Sequence, residues 1–509
     1  MNGGSSRRVH DARASDHIAV RSTSERTSES ARERLGMAEP RWQRDQRTRR
    51  RRMTSRGRAT LGVVFALGLI GAVRLVDPFS AVSAVSEGVP PAVSAGAPPI
   101  GAEGDLSRAP DFLLSRLPMT RDALALPVTS SEAPGSGSAG RLFERVGDPA
   151  GDGEYTLEYT LDAELMQQVF SALEVGRVEL GNVIVMDPQQ GRVLAYASTD
   201  AERFPPTRSY PAASLVKVIT AAAALDRAPD TARLPCRYRG SPYRLTESRL
   251  DPPDSGSEVT LRKALATSNN QCFAQLAVHA VGVAPLIEAI GRFGWLNAPA
   301  PAHAPGEADP GEDRYDVGRL GCGLAGCRIT PLHAAQLAAS LVHGELVAPR
   351  WIERVWDPQG RELALPAQPP RRQVLTPELT SELRAMLVDT TRNGTARRAF
   401  RKRNGHPLLG DVSVAGKTGS LSGKDPDGRY EWFVGVAPAE DPQVAIATVV
   451  VNGPLYWRTS SQIAADVLQR IFCEKGRCDA SRLERFTRPA PAATVARLSE
   501  RDGEPPTPN

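Results

Sequence analysis

Three apolar runs close together near the C-terminus restrict the fold more than any other part of this chain. "VSVAGKTGSLS" (412–422), "YEWFVGVAP" (430–438) and "QVAIATVVVNG" (443–453) are rich in β-branched and aromatic residues and are separated by short polar turns. They read as consecutive strands, the last two forming a hairpin around "AEDP" (439–442). A second hairpin is predicted far upstream in "NVIVMDPQQGRVLAYAS" (182–198), with "DPQQG" at the turn. A helical pattern behind an aspartate N-cap precedes it, "DAELMQQVFSALEVGR" (162–177), and "SSQIAADVLQRIF" (460–472) closes the set as a helix. Between the two groups of strands lie helical segments: 214–228, two stretches within 260–282 broken at "TSNN", 330–344 and 375–392. The order is helix, hairpin, long helical insert, three strands, helix. It predicts an α/β (α+β) chain whose antiparallel sheet is packed by the terminal helices and carries an inserted all-helical subdomain.

The rest of the 509 residues divides by composition. Residues 1–58 are polar and Arg/Ser-rich, and "RWQRDQRTRRRRMTSRGR" (41–58) carries nine arginines and one aspartate. Such a run suits a disordered tail, a nucleic-acid contact or an anionic membrane surface. The next segment, "ATLGVVFALGLIGAVRLV" (59–76), favours the membrane: it is apolar apart from Arg74. As a helix, its length of about 27 Å just crosses a hydrocarbon core. The arginines before it place 1–58 in the cytoplasm and everything after Val76 outside, so no nucleic-acid partner is expected. A cleaved signal peptide is the alternative, with small residues at "AVSA" (81–84), although these lie well past the apolar run. Residues 77–154 have a Pro/Ala/Gly/Ser linker composition, 155–472 carry the predicted domain, and 473–509 read as a tail.

All six cysteines follow the apolar span: Cys236, Cys272, Cys322, Cys327, Cys473 and Cys478. On an oxidising side disulfides are expected, with zinc the alternative. Each C-x4-C pair, Cys322 with Cys327 and Cys473 with Cys478, is the simplest pairing, and Cys236–Cys272 would be the third.

The chain prefers arginine: only six of its 63 basic residues are lysine. One of them, Lys217, nevertheless sits in the apolar helix "SLVKVITAAAAL", three residues after Ser214. Residues three apart share a helix face. A serine hydroxyl needs a base before it becomes a nucleophile. A lysine amine can be that base when neutral, whereas arginine stays protonated in proteins. Two further motifs join it: "SNN", with Ser268 and Asn270, and "KTGS", with Lys417, Thr418, Gly419 and Ser420. Glycine in a strand permits close approach of a ligand, and Lys417 and Thr418 offer donors, Lys417 as a charge, to a carboxylate. Taken singly, each motif is ordinary: a surface helix, a helix cap, a turn. The spacings of 54 and 149 residues fit all three into one domain.

Together these motifs resemble the serine penicillin-binding protein (D,D-transpeptidase domain) family of the β-lactamase-like superfamily. "VIVMDPQQGRVLAYAS", "ALATSNNQCFAQLA", "RNGTARRAF" and "EWFVGVAP" extend the resemblance over about residues 155–472. It implies peptidoglycan stem peptides ending in D-Ala-D-Ala as substrate, β-lactams as covalent inhibitors and no cofactor. Ser214 would be the nucleophile, Lys217 its base and Ser268 a proton relay. Asn270, Lys417, Thr418, Gly419 and Ser420 would hold substrate, and the backbone N–H groups of Ser214 and Ser420 would form the oxyanion hole. With its anchor in the inner (cytoplasmic) membrane, the chain would present its catalytic domain to the periplasm, where a growth or division complex is a further partner.

A glycosyltransferase domain has no room between the span and Tyr155. A β-lactamase lacks its deacylating carboxylate, because Phe293 stands where E-x-x-L-N would need Glu. The seven histidines form no H-E-x-x-H, no G-x-S-x-G elbow occurs, and no metal site is expected. A D,D-carboxypeptidase or endopeptidase carries the same motifs and stays open, as does a non-catalytic penicillin-binding sensor.

Overall fold

The computed structural model describes residues 117, 119–125, 140–147, 153–453 and 457–487, all within one compact unit, Pro98–Asn509. In chain order the strands that position the site are β1 (Arg141–Gly147), β2 (Glu154–Asp162), β3 (Leu180–Met186), β4 (Val193–Ser198), β5 (Ile352–Trp356), β6 (Glu362–Leu363), β7 (Ala415–Gly423), β8 (Gly428–Ala437) and β9 (Val444–Asn452). The helices are α1 (Ala163–Val175), α2 (Val216–Arg227), α3 (Leu261–Ala266), α4 (Asn270–Gln275), α5 (Val283–Arg292), α6 (Arg314–Gly321), α7 (Pro331–His343), α8 (Pro377–Arg392) and α9 (Ser460–Phe472).

Both predicted hairpins join one antiparallel sheet of order β7-β8-β9-β3-β4. Every residue of β3 and β4 is buried, which is why they read as continuous apolar runs rather than as alternating strands. One face packs on α1 and α9, with Leu165, Phe170, Ile463 and Leu468 against Val183, Phe433 and Ile446. The other face packs on the helical insert, with Ile219, Leu337 and Leu387 near Ile184, Val434 and Ala447. Caps fix the helix ends. Asp162 Oδ1 accepts the Leu165 N–H at 2.8 Å, and Gly344 ends α7 in the left-handed region.

Two predicted boundaries shift. The stretch assigned to linker, 77–154, contains β1, which pairs antiparallel with β2 in a second sheet of order β1-β2-β5-β6. "RLFERVG" looks too polar for a strand, but its first charge is used inside: Arg141 lies 3.4 Å from the wholly buried Glu158, which Arg354 of β5 also meets at 2.7 Å. The tail assigned from Cys473 also begins ordered, and Leu483 and Phe486 are buried against the core that holds α9. The apolar span 59–76 lies outside the described residues. Among those described, no single helix is long and apolar enough to cross a membrane.

The cysteines correct one pairing. Disulfides join Cys236 to Cys272 and Cys473 to Cys478, while Cys322 and Cys327 are free and buried. The loop between them has another task. Gly323, at φ +74°, lies so close to the turn that carries Ser214 that a Cβ there would sit 2.0 Å from the Ala213 carbonyl oxygen. Cys322 Sγ faces the Arg319 carbonyl at 3.5 Å, and Cys327 starts a short strand that pairs with Glu307–Ala308. Burial pushes the two thiols up to about 11 and about 12, so little reactive thiolate forms at neutral pH. Titration with a thiol reagent is expected to find about no reactive cysteine in the folded protein and two per chain after denaturation without reductant. Peptide mapping that finds Cys322 joined to Cys327 would overturn this pairing.

Candidate active site

Helix α2 is half alanine and valine and is buried over ten of its twelve residues, from Val216 to Leu225. It therefore sits inside the insert rather than on its surface, and its first turn carries the reactive groups. Ser214 lies on the single 3-10 turn Ala213–Leu215 that leads into α2. Ala213 takes a left-handed φ of 50°, an uncommon conformation for a residue with a side chain. The turn is pinned from two sides. Trp432 Nε1 donates to the Pro211 carbonyl at 2.9 Å, and a Cβ on Gly419 would lie 3.2 Å from Ala213 Cβ. β7 is the edge strand of the main sheet, and "KTGS" runs beside the Ser214 backbone: a Cβ on Gly419 would lie 3.4 Å from the Ser214 nitrogen.

Lys217 has no solvent exposure. Its Nζ lies 2.8 Å from Ser214 Oγ, 3.3 Å from Ser268 Oγ and 2.6 Å from Asn270 Oδ1, to which it donates. Burial depresses its pKa to about 8, opposed only by the nearby Cys322 thiol. A neutral amine is therefore accessible near physiological pH.

"SNN" is both a helix cap and part of the site. The middle residue, Asn269, caps α4 by accepting the Cys272 N–H at 3.1 Å. Ser268, with φ 57°, and Asn270 are thereby turned toward Lys217. Asn270 Nδ2 donates to the Tyr243 carbonyl at 2.8 Å, which fixes the amide's orientation.

Lys417 is placed differently from the sequence expectation of a charged group open to a substrate carboxylate. It is wholly buried, and its Nζ donates to Ser268 Oγ at 3.0 Å and to the Thr418 carbonyl at 2.7 Å. Burial and, secondly, the Lys217 charge hold its pKa well below the usual lysine range. Two amines thus flank one hydroxyl, that of Ser268, and a proton on both is disfavoured. Thr418 and Ser420 face the cleft in its place.

All the predicted site residues apart from Cys322 and Cys327 thus fall in one constellation or in a disulfide. The motifs separated by 54 and 149 residues meet around a cleft of about 740 Å³. Several groups that line or support it were not singled out from sequence. Thr395 Oγ1 lies 2.5 Å from Thr418 Oγ1, Arg429 Nε donates to Ser420 Oγ at 2.6 Å, and Arg398 lines the cleft. Thr395 and Arg398 belong to "RNGTARRAF", whose resemblance was the available signal. Nothing in the sequence marked Arg429.

This arrangement brings a serine hydroxyl within hydrogen-bond reach of a buried lysine amine, and comparison with known proteins gives the family. Residues 181–472 match the family model described as penicillin binding protein transpeptidase domain. The chain belongs to that family. It is 26% identical over 369 residues to the peptidoglycan D,D-transpeptidase PbpA of Mycolicibacterium smegmatis, covering 62% of this chain and 72% of that one. It is 25% identical over 345 residues to the peptidoglycan D,D-transpeptidase FtsI of Escherichia coli, covering 62% and 55%. Penicillin-binding protein A from Mycobacterium tuberculosis, solved as a ceftriaxone acyl-enzyme complex, shares the fold with a TM-score of 0.52 and 24% identity, covering 61% of this chain and 78% of that one.

Proposed function

We propose that this chain is a D,D-transpeptidase that cross-links peptidoglycan stem peptides through an acyl-Ser214 intermediate. One observation carries the reading: a buried Lys217 amine with Ser214 Oγ, Ser268 Oγ and Asn270 Oδ1 all within 3.3 Å. Neutral Lys217 takes the Ser214 proton as Oγ attacks the carbonyl of the penultimate D-Ala. The N–H groups of Ser214 and Ser420 stabilise the oxyanion. Ser268, hydrogen-bonded to both lysines, passes a proton to the departing D-Ala amine. The Thr418 and Ser420 hydroxyls hold the terminal carboxylate, and Asn270 holds a substrate amide. An acceptor amine then attacks the ester, forms the cross-linking amide and releases Ser214. β-Lactams enter the same first step and stay as the acyl-enzyme.

The test is product analysis with a D-Ala-D-Ala pentapeptide, with and without an acceptor amine. The expected result is D-Ala release with an amide-linked product that dominates when acceptor is present. Tetrapeptide alone in both reactions would make the protein a D,D-carboxypeptidase. Penicillin labelling without any turnover would make it a sensor.

The same reading places the protein on the inner membrane by residues 59–76, with the domain outside. External protease is expected to digest the domain in spheroplasts, and the protein should stay with membranes through a high-salt wash. A soluble mature protein beginning near Val85 would instead mark 59–76 as a cleaved signal.

A further inference from the structure

Four of the six residues of α4 hold one stretch of chain, 236–250, against the helix. Cys272 is bonded to Cys236, at the start of the short strand Cys236–Tyr238. Gln271 Nε2 donates to the Arg239 carbonyl at 3.0 Å and to the Ser241 carbonyl at 2.7 Å, while its Oε1 accepts the Arg239 N–H at 3.4 Å. Gln275 Nε2 donates to the Arg237 carbonyl at 3.2 Å. Asn270 Nδ2 donates to the Tyr243 carbonyl at 2.8 Å, and the backbone N–H groups of Asn270 and Gln271 donate to the Pro242 carbonyl at 2.9 and 3.3 Å. The strap thus turns a row of carbonyls to α4, and its Tyr243 lines the cleft.

The strap bears on the direction in which the base points. Loss of one of its three protons leaves the lysine amine two N–H donors and one lone pair. To take the Ser214 proton, Lys217 must aim the lone pair at Ser214 Oγ, 2.8 Å away, and direct both N–H groups elsewhere. Asn270 Oδ1 at 2.6 Å and Ser268 Oγ at 3.3 Å are the acceptors in reach. An Asn270 amide turned over would present its NH2 to Nζ and draw the lone pair away from Ser214. The Tyr243 carbonyl opposes that, because Oδ1 facing a carbonyl oxygen would leave both acceptors without a donor. Gln271 holds this part of the strap in place. It is 1% exposed, and its side-chain bonds run to the strap and not to the reacting groups.

We propose that Gln271 is a positioning residue. Together with the Cys236–Cys272 disulfide it clamps the strap, so that the Tyr243 carbonyl orients the Asn270 amide and, through it, the Lys217 lone pair toward Ser214. The inference rests on the reading of Lys217 as the base and adds what aims it. A loosened strap has two consequences. The amide competes for the lone pair, which lowers the limiting rate. The ammonium form also loses Asn270 Oδ1 as an acceptor, so it gives up its proton at lower pH. A glutamine that merely satisfied the strap's carbonyls would affect stability alone. Lys417 from β7 and Cys322 at the end of α6 are the titratable groups that act on Lys217, and neither belongs to the strap.

The test measures the acylation constant of the full-length protein with benzylpenicillin across the titration of Lys217. Gln271→Met keeps the side chain's size and removes its hydrogen bonds. The paired change Cys236→Ser and Cys272→Ser removes the covalent clamp and leaves Gln271. The end-point adduct, read by intact mass, counts the folded fraction of each protein, and the constants are corrected for it. In Gln271→Met the limiting constant at high pH should fall by about tenfold, the scale of one hydrogen bond to a charged group. The cysteine pair should show a smaller fall. In both, the midpoint of the pH profile should move below that of wild type. A structural role alone would lower the end point and leave the midpoint and the corrected constant unchanged. An unchanged midpoint in Gln271→Met overturns the proposal, as does an unchanged midpoint in the cysteine pair if Gln271→Met does not fold. Wild type that labels normally beside variants that match it overturns only this inference. Wild type that forms no adduct overturns the reading of Ser214 and Lys217 with it.

Discussion

Ser214→Ala is expected to remove the covalent β-lactam adduct completely while leaving the fold in place. Intact mass after incubation with benzylpenicillin should show the full adduct on wild type and none on the variant. The loss is total because the substitution deletes the bond-forming atom, and no other described hydroxyl lies as close to the neutral amine as Ser214 Oγ at 2.8 Å. Ser268 Oγ is farther, at 3.3 Å, and shared with Lys417. The cost in stability is small. Ser214 is partly exposed, and Lys217 keeps its bond to Asn270 at 2.6 Å. One lost hydrogen bond is worth about 0.5–1.5 kcal/mol. Adduct formation at wild-type levels would move the nucleophile elsewhere.

Lys217→Met is expected to slow acylation by about 10²–10⁴-fold, the range for loss of a positioned base. Methionine keeps an unbranched stem of similar size in a site with no solvent exposure, so the packing of α2 is retained. Lys217→Arg should lose as much activity and also some stability, about 1–3 kcal/mol, because the larger guanidinium has to be forced into a packed site. Circular dichroism melts separate the two effects. In wild type the acylation constant should rise with pH and level off above about 8, where the Lys217 amine has lost its proton. The sign follows from the base being the neutral form. A rate that falls over this range, or a Lys217→Met variant that acylates like wild type, would mean that another group takes the Ser214 proton. Lys417→Arg does not serve as the mild control that a solvent-facing carboxylate anchor would offer. Lys417 is as buried as Lys217, so arginine there is expected to damage both folding and acylation.

Helices α1, α2, α7, α8 and α9 and the strands β3, β4, β8 and β9 were legible along the chain because each is specified within a window of ten to twenty residues. Apolar periodicity and caps such as Asp162 and Gly344 are local signals. Ser214 and Lys217 were legible for the same reason: three residues on one helix face are a local geometry, and the scarcity of lysine drew attention to them. β1 was not legible, because a strand that hides Arg141 against Glu158 depends on Arg354, some two hundred residues away.

By itself, then, the sequence determined the order of the main elements, the candidate nucleophile and base, and the family to which the chain belongs. Only the tertiary structure decided the relations that no local pattern encodes. It brought Ser268 between two lysines, buried Lys417 beneath the cleft and left Cys322, beside the turn that carries Ser214, as a free thiol rather than a partner of Cys327. It also set Arg429 along the wall of the cleft. Each of these depends on contacts between segments far apart in the chain, where distance, burial and the loss of water fix a side chain's charge and partner. Residue type and spacing do not carry that information.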